Sequence, residues 1–155
     1  MNPLILPIQR IEGSDRKIPL PSYQTNGAAG MDVRANLSQR DRGPGLTLGL
    51  GARMAVPTGF AMAVPPGFEV QVRARSGRAL REGLMVPNAP GTIDADYRGE
   101  VMILLLNAGN TPLHIAHGDR IAQLVLTQVP RAAVREVAEL PATVRGRRGF
   151  GSTGR

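Results

Sequence analysis

Phe68-Glu69-Val70-Gln71-Val72-Arg73-Ala74-Arg75 decides the fold, because Phe68, Val70, Val72 and Ala74 alternate without a break with Glu69, Gln71, Arg73 and Arg75. A period of two sends alternate side chains to opposite faces, so the stretch predicts a strand with one face on a core and one on solvent. Pro65-Pro66-Gly67 precedes it and Arg75-Ser76-Gly77 follows it, and Gly and Pro recur at short intervals from Gly27 to Gly118. That spacing predicts an all-β sandwich or barrel. Upstream, Ala52 to Val56 and Phe60 to Val64 flank Pro57-Thr58-Gly59, which predicts a hairpin. Met31, Val33 and Ala35 alternate with Asp32 and Arg34 as in a half-buried strand. A surface loop from Gln39 to Gly51 with a short edge strand near Leu46 to Leu48, and one strand around Leu4 to Ile8, complete that half.

Downstream, Ser76 is placed to cap a short helix through Arg81. Val101 to Leu106 is apolar on both faces, which predicts burial on both sides, between sheets or at a subunit contact. Arg120 to Leu126 reads as a strand in which Gln123 shares a face with Ile121 and Val125. A lone amide on an apolar face needs a partner. After Pro141 periodicity and apolar content both fall away, so residues 1–141 are expected to form the core and 142–155 a separate arm.

The chain has 155 residues, enough for one domain with a real core. Its 19 Lys and Arg against 12 Asp and Glu give a net charge of +7, yet Lys17 is the only lysine, a pattern that coding bias also produces. Aromatics at 3% leave few rings for stacking on successive bases, so no stable nucleic-acid partner is expected. With no Cys there is no disulfide, thiolate metal site or cysteine nucleophile. His114 and His117 stand without clustered carboxylates and read as ordinary surface or turn residues. Leu4-Ile5-Leu6 between Pro3 and Pro7 lacks a signal-peptide layout, and no apolar run approaches a membrane span, so the expected setting is the cytoplasm.

Three segments carry polar chemistry. Asn88-Ala89-Pro90-Gly91-Thr92-Ile93-Asp94-Ala95-Asp96-Tyr97-Arg98-Gly99 brackets two acids and a tyrosine with turn residues, just before the Val101 to Leu106 run. If extended, it sets Asp94 and Asp96 on one side, while turn chemistry explains both acids equally simply. Arg75-Ser76-Gly77 offers a guanidinium, a hydroxyl and free amides suited to an anion, or simply a cap and a surface cation. Arg145 to Arg155 isolates Phe150 among glycines, hydroxyls and arginines, as either a basic tail or a lid that brings its ring to a ligand.

Gly27-Ala28-Ala29-Gly30-Met31-Asp32-Val33-Arg34-Ala35, Arg75-Ser76-Gly77, Asn88 with Gly91 to Gly99, Gly118-Asp119-Arg120-Ile121-Ala122-Gln123, and Arg145 to Gly154 together resemble, in order and spacing, the five motifs of the trimeric deoxyuridine triphosphatases. The resemblance runs from Pro19 to Arg155. It implies an all-β, distorted jelly-roll-like barrel with one short helix, assembled as a homotrimer in which each arm closes over a neighbour's site. The implied reaction is water attack on the α-phosphorus of dUTP with Mg²⁺, giving dUMP and pyrophosphate; this keeps uracil out of DNA and supplies dUMP for thymidylate synthesis.

By the same resemblance Asp94 orients and deprotonates the water. Aspartate, with an ordinary pKa of about 3.9, is a weak base at neutral pH, so positioning must supply much of the rate. Asn88, Gly91, Thr92 and Ile93 correspond to the hairpin that reads uracil, Tyr97 to the ring under the deoxyribose, and Met102 to a main-chain contact with the base. Arg75, Ser76, Gly77 and Gln123 correspond to contacts near the scissile phosphate. Asp32 resembles a carboxylate that reaches the metal only through water. Phe150 would stack on uracil, while Arg145, Gly151, Ser152 and Thr153 belong to the segment that holds the far phosphates. Arg148 departs from the small residue common before the Gly-Phe-Gly step. The rival readings are the deoxycytidine triphosphate deaminase branch of the same fold and a non-catalytic basic nucleic-acid-binding or regulatory protein.

Overall fold

The alternating stretch is extended as far as Arg73 and lies inside a five-stranded antiparallel sheet. The computed structural model describes residues 4–149. Its elements are β1 (Ile8–Arg10), β2 (Ser22–Tyr23), β3 (Met31–Arg34), β4 (Leu46–Leu48), β5 (Arg53–Pro57), β6 (Phe60–Met62), β7 (Phe68–Arg73), α1 (Ser76–Glu82), β8 (Leu84–Met85), β9 (Gly91–Ile93), β10 (Met102–Asn107), β11 (Leu113–Ile115) and β12 (Arg120–Gln128). The large sheet runs β2-β3-β12-β7-β9, beside a three-stranded sheet β5-β10-β8 and the pairs β1-β6 and β4-β11. The all-β class with one short helix is as expected. Among the described residues no helix is long and apolar enough to cross a membrane.

The alternation works as read: Val70 and Val72 are buried, Arg73 is exposed, and Gln71 is only partly covered. Val33, Ile121 and Leu124 join them from the same sheet, and Val56, Phe60, Ile103 and Leu105 meet them from the others in one buried cluster. Each such side chain contributes about 1.5–3 kcal/mol when fully buried, so this seam dominates the stability.

Three expectations are corrected. Ala52 to Val56 and Phe60 to Val64 do not form a hairpin: β5 pairs with β10 and β6 with β1. The corner between them is committed elsewhere, since buried Thr58 donates its hydroxyl to the Val101 carbonyl (2.6 Å) and the Gly59 N–H donates to Glu100 Oε1 (2.8 Å). The first strand is Ile8–Arg10 rather than Leu4 to Ile8, because β6 offers its edge to Ile8, Gln9 and Arg10 while Leu4 and Ile5 are exposed. Ser76 is the first helical residue, with Arg75 at the N-cap and no side-chain cap bond. The Val101 to Leu106 run is buried on one face in the single chain, so of the two covers expected for its other face, a second sheet is absent there among the described residues and a subunit contact stays as the expectation. Val101, Ile103 and Leu105 point inward, whereas Met102 and Leu104 are 40% and 43% exposed. After β9 the chain turns, in keeping with the turn-chemistry alternative for Asp94 and Asp96, and the Tyr97 N–H donates to the Asp94 carbonyl at 3.2 Å.

Candidate active site

Asp32 is the centre of one polar cluster. Its carboxylate is buried at 5% exposure on β3, which departs from the half-buried strand expected there, and charge explains the difference. Arg120 donates to Oδ2 at 3.0 Å, Gln123 Nε2 donates to Oδ1 at 3.2 Å, and Arg75 Nε lies 3.5 Å from Oδ1. The sheet register makes this contact, because Asp32 on β3 lies opposite Gln123 on β12, which in turn lies opposite Arg73 on β7. A buried carboxylate without partners would be strongly disfavoured, so the two guanidinium groups are what permit Asp32 there. In return Asp32 holds Arg75 and Gln123 in place. Arg75 also donates to the Arg120 carbonyl at 3.3 Å, which ties the start of α1 to the start of β12. Arg120 is a site residue that the sequence reasoning misses; it stands three positions before Gln123 in the same motif, and both side chains bond the Asp32 carboxylate.

Asp94 is the centre of a second cluster at the outer edge of the same sheet. Gly91, Thr92 and Ile93 form the edge strand β9, in which Gly91 and Ile93 are buried and Thr92 is exposed. A Cβ at Gly91 would stand 2.8 Å from Asn88 Nδ2, so glycine is required for the Asn88 amide to lie against this strand. The turn that follows is fixed by Arg98, whose Nη1 donates to the carbonyls of Ala95 (2.8 Å) and Tyr97 (2.7 Å). Asp94 and Asp96 are exposed, and Ala95 packs on the core. The Tyr97 hydroxyl donates to the Glu100 carbonyl at 3.0 Å, which leaves a half-exposed ring standing at the surface. Asp94 and Asp96 line a hollow of about 640 Å³ together with Phe68, Glu69, Arg98 and Arg131. Met102 begins β10, opposite Pro57.

These clusters do not meet on one chain. Gln123 lies opposite Arg73 on β7, and Ile93 lies opposite Val70 on the other side of β7. Two interstrand steps and three residues of rise put Gln123 and Ile93 roughly 14 Å apart, with Asp94 one residue farther. Arg145 lies in the exposed stretch 130–149 and donates to the Arg148 carbonyl at 3.0 Å. The expectations for Phe150, Gly151, Ser152 and Thr153 fall outside the described residues. Among the described residues no group of three or more His, Asp or Glu is placed to hold a metal.

A third tie pins the N-terminal segment. His117 Nδ1 accepts the Leu37 N–H at 3.0 Å, so its proton sits on Nε2, which faces Asp15 Oδ2 at 3.2 Å. The Lys17 backbone N–H foremost, then His117 and Arg42, hold the Asp15 carboxyl below its ordinary value. His117 is thus a structural link, and neither histidine joins a metal cluster among the described residues.

The dUTPase family model matches residues 16–154 of this chain. The chain belongs to the dUTPase family. A deoxyuridine 5'-triphosphate nucleotidohydrolase of Methylocella silvestris is 52% identical to it over 153 residues, covering 98% of this chain and 92% of the relative. One of Zymomonas mobilis is 56% identical over 137 residues, covering 88% and 89%. The dUTPase of Staphylococcus bacteriophage 80alpha superposes with a TM-score of 0.83 over 97% of this chain and 98% of its own, at 21% identity, a likeness of dUTPase fold.

Proposed function

We propose that the chain hydrolyses dUTP to dUMP and pyrophosphate, at sites completed by neighbouring copies in a homotrimer. The observation that carries this reading is the separation of two incomplete clusters on one sheet of a dUTPase-family chain. One holds a pre-positioned guanidinium and amide, and the other an exposed carboxylate beside an exposed ring. The exposed apolar face of β10, with Met102 and Leu104, supports a contact between copies that would bring one chain's Asp94 to another's Arg75 and Gln123.

In this reading Asn88 and the backbone of Gly91, Thr92 and Ile93 read uracil, Met102 touches the base through its main chain, and Tyr97 excludes a ribose hydroxyl. Arg75, Ser76, Gly77 and Gln123 hold the α-phosphate region. Asp94 orients a water and takes its proton as the water oxygen bonds to the α-phosphorus, and the bond to the bridging oxygen of pyrophosphate breaks. Residues 142–155, carrying Arg145, Phe150, Gly151, Ser152 and Thr153, close a neighbour's site over the core formed by residues 1–141. Asp32 Oδ2 accepts one donor, Arg120, and a carboxylate oxygen has room for a second, so the donor set fits a role for Asp32 toward metal-bound water. Mg²⁺, when carried in on the phosphates, would neutralise their charge there. The cytoplasm is the proposed setting.

Pyrophosphate release measured with dUTP, dCTP, dTTP and UTP tests the reading. Release from dUTP far above the other three is expected. Deamination of dCTP, or retained salt-dependent DNA binding without any pyrophosphate release, would replace it with one of the rival readings.

A further inference from the structure

Tyr97 stands half-exposed on the turn after β9, yet its ring is tethered at the far end. The hydroxyl donates to the Glu100 carbonyl at 3.0 Å. That end of the ring lies over Gly99, where a Cβ would stand 2.6 Å from Tyr97 Cζ, so no side chain fits beneath it. The peptide unit that accepts the bond is pinned twice. Its own N–H, on Val101, donates to the Phe60 carbonyl at 2.9 Å, and the Glu100 side chain folds back so that Oε1 accepts the Gly59 N–H at 2.8 Å. Both pins end on the corner between β5 and β6, which is itself held from other directions. The Pro57 carbonyl accepts the Asn36 N–H at 2.8 Å, and the Gly59 carbonyl accepts the Ile11 N–H at 3.0 Å. Gly59 has a φ of +74°, and its Cβ would stand 2.6 Å from Asn36 Nδ2, so the corner admits only glycine. Glu100 makes no ion pair among the described residues, and its carboxylate serves as acceptor for a backbone amide.

A wall that rejects a ligand by clash works only if it does not yield, and a ring displaced by about 1 Å would already make room for much of one hydroxyl group. We propose that Glu100 is a specificity-determining positioning residue: by tying the Tyr97 turn to the β5–β6 corner it holds the ring where a 2'-hydroxyl cannot enter, and so sets the selection of deoxyribose over ribose nucleotides. The inference rests on the dUTPase reading, in which Tyr97 lies under the deoxyribose, and adds to it a residue that acts through Tyr97. Glutamine at position 100 keeps an Oε1 acceptor for the Gly59 N–H, whereas alanine removes it, so the two substitutions separate the tether from the charge.

Specificity constants for dUTP and UTP, measured on the full-length protein, test this. Glu100→Ala is expected to raise UTP relative to dUTP about tenfold, the effect of losing one charge-assisted bond, with a smaller change for dUTP itself. Glu100→Gln should stay near wild type, and Tyr97→Phe, which keeps the ring and removes its tether, should raise the ratio as Glu100→Ala does. The variant carrying both Glu100→Ala and Tyr97→Phe should go no further than either alone, because both cut the same chain of bonds. Ile115→Val, which trims a buried side chain on β11, should lower the melting temperature and leave the ratio where it is. Tyr97 is one of two tyrosines, so its ring signals in nuclear magnetic resonance are assigned by their loss in Tyr97→Phe. They should shift in Glu100→Ala and stay in Glu100→Gln. An unmoved ratio in Glu100→Ala or in Tyr97→Phe, beside normal dUTP hydrolysis, overturns the role of Glu100 alone, as does an equal rise in Glu100→Gln or Ile115→Val. Ring signals unchanged in Glu100→Ala overturn the tether itself. Hydrolysis of neither nucleotide by the wild type would sink the substrate reading, and the sugar selection with it.

Discussion

Asp94 stands exposed on a turn held by the Arg98 bonds to neighbouring carbonyls, so replacing its carboxylate disturbs chemistry rather than fold. Asp94→Asn is expected to lower turnover by about 10² to 10⁴ while nucleotide still binds, because the base is lost and its shape kept. Steady-state rates beside a direct binding titration check it, and near-wild-type turnover would remove Asp94 from its role. Asp15 gives a prediction in pH. Its carboxyl is held below the ordinary 3.8, so the stability it contributes is present above that value and fades as pH falls through the lower folded value. Asp15→Asn should therefore melt below wild type at pH 7, with the gap closing below about pH 4. A gap that stays constant across that range would mean that the charge on Asp15 does nothing for the fold. The residues proposed to carry chemistry stand in motifs that the sequence displays, but the partners that hold them in the structure were not legible there. Nothing within the segment Met31 to Ala35 says that Asp32 is buried, since Arg75 and Arg120 arrive from far along the chain.

At the scale of elements, β7 could be read directly because a strand with one buried face writes its own alternation. The corner between β5 and β6 could not be read in the same way. Pro57-Thr58-Gly59 has the composition of a tight turn, and what redirects it are bonds to Glu100 and Val101 more than 40 positions away. Thr58→Val keeps the volume and leaves the Val101 carbonyl buried without its donor, which should destabilise the chain by about 1–3 kcal/mol. Chemical denaturation measures this, and Thr58→Ser should recover most of it. No change in either variant would mean that the corner is held by packing alone. The turn after β9 was one of two readings its composition allowed, and what decides for it is the side chain of Arg98, bonded to the Ala95 and Tyr97 carbonyls.

For the whole molecule, the separation of roughly 14 Å between Gln123 on β12 and Ile93 on β9 gives the proposed assembly a direct test. An Asp94→Asn chain keeps a good Arg75–Gln123 half, and an Arg75→Ala chain keeps a good Asp94 half. Each alone should be nearly inactive. After subunit exchange in equal amounts, about a quarter of the sites would pair two intact halves, and activity should reappear in that proportion. Exchanged assemblies that are confirmed by mass and stay as inactive as either parent would show that each chain completes its own site.

In the proposed assembly the same division would govern what happens when sound and faulty copies are made together. A chain with one fault, in either half, spoils one site per copy, so output falls only in step with its share of the population. A chain faulty in both halves spoils the site on each side of it. At equal abundance a single lesion leaves about one half of the sites working and a double lesion only about one quarter. A site split in this way would make single alleles recessive and complementary, and only the double allele would poison its neighbours.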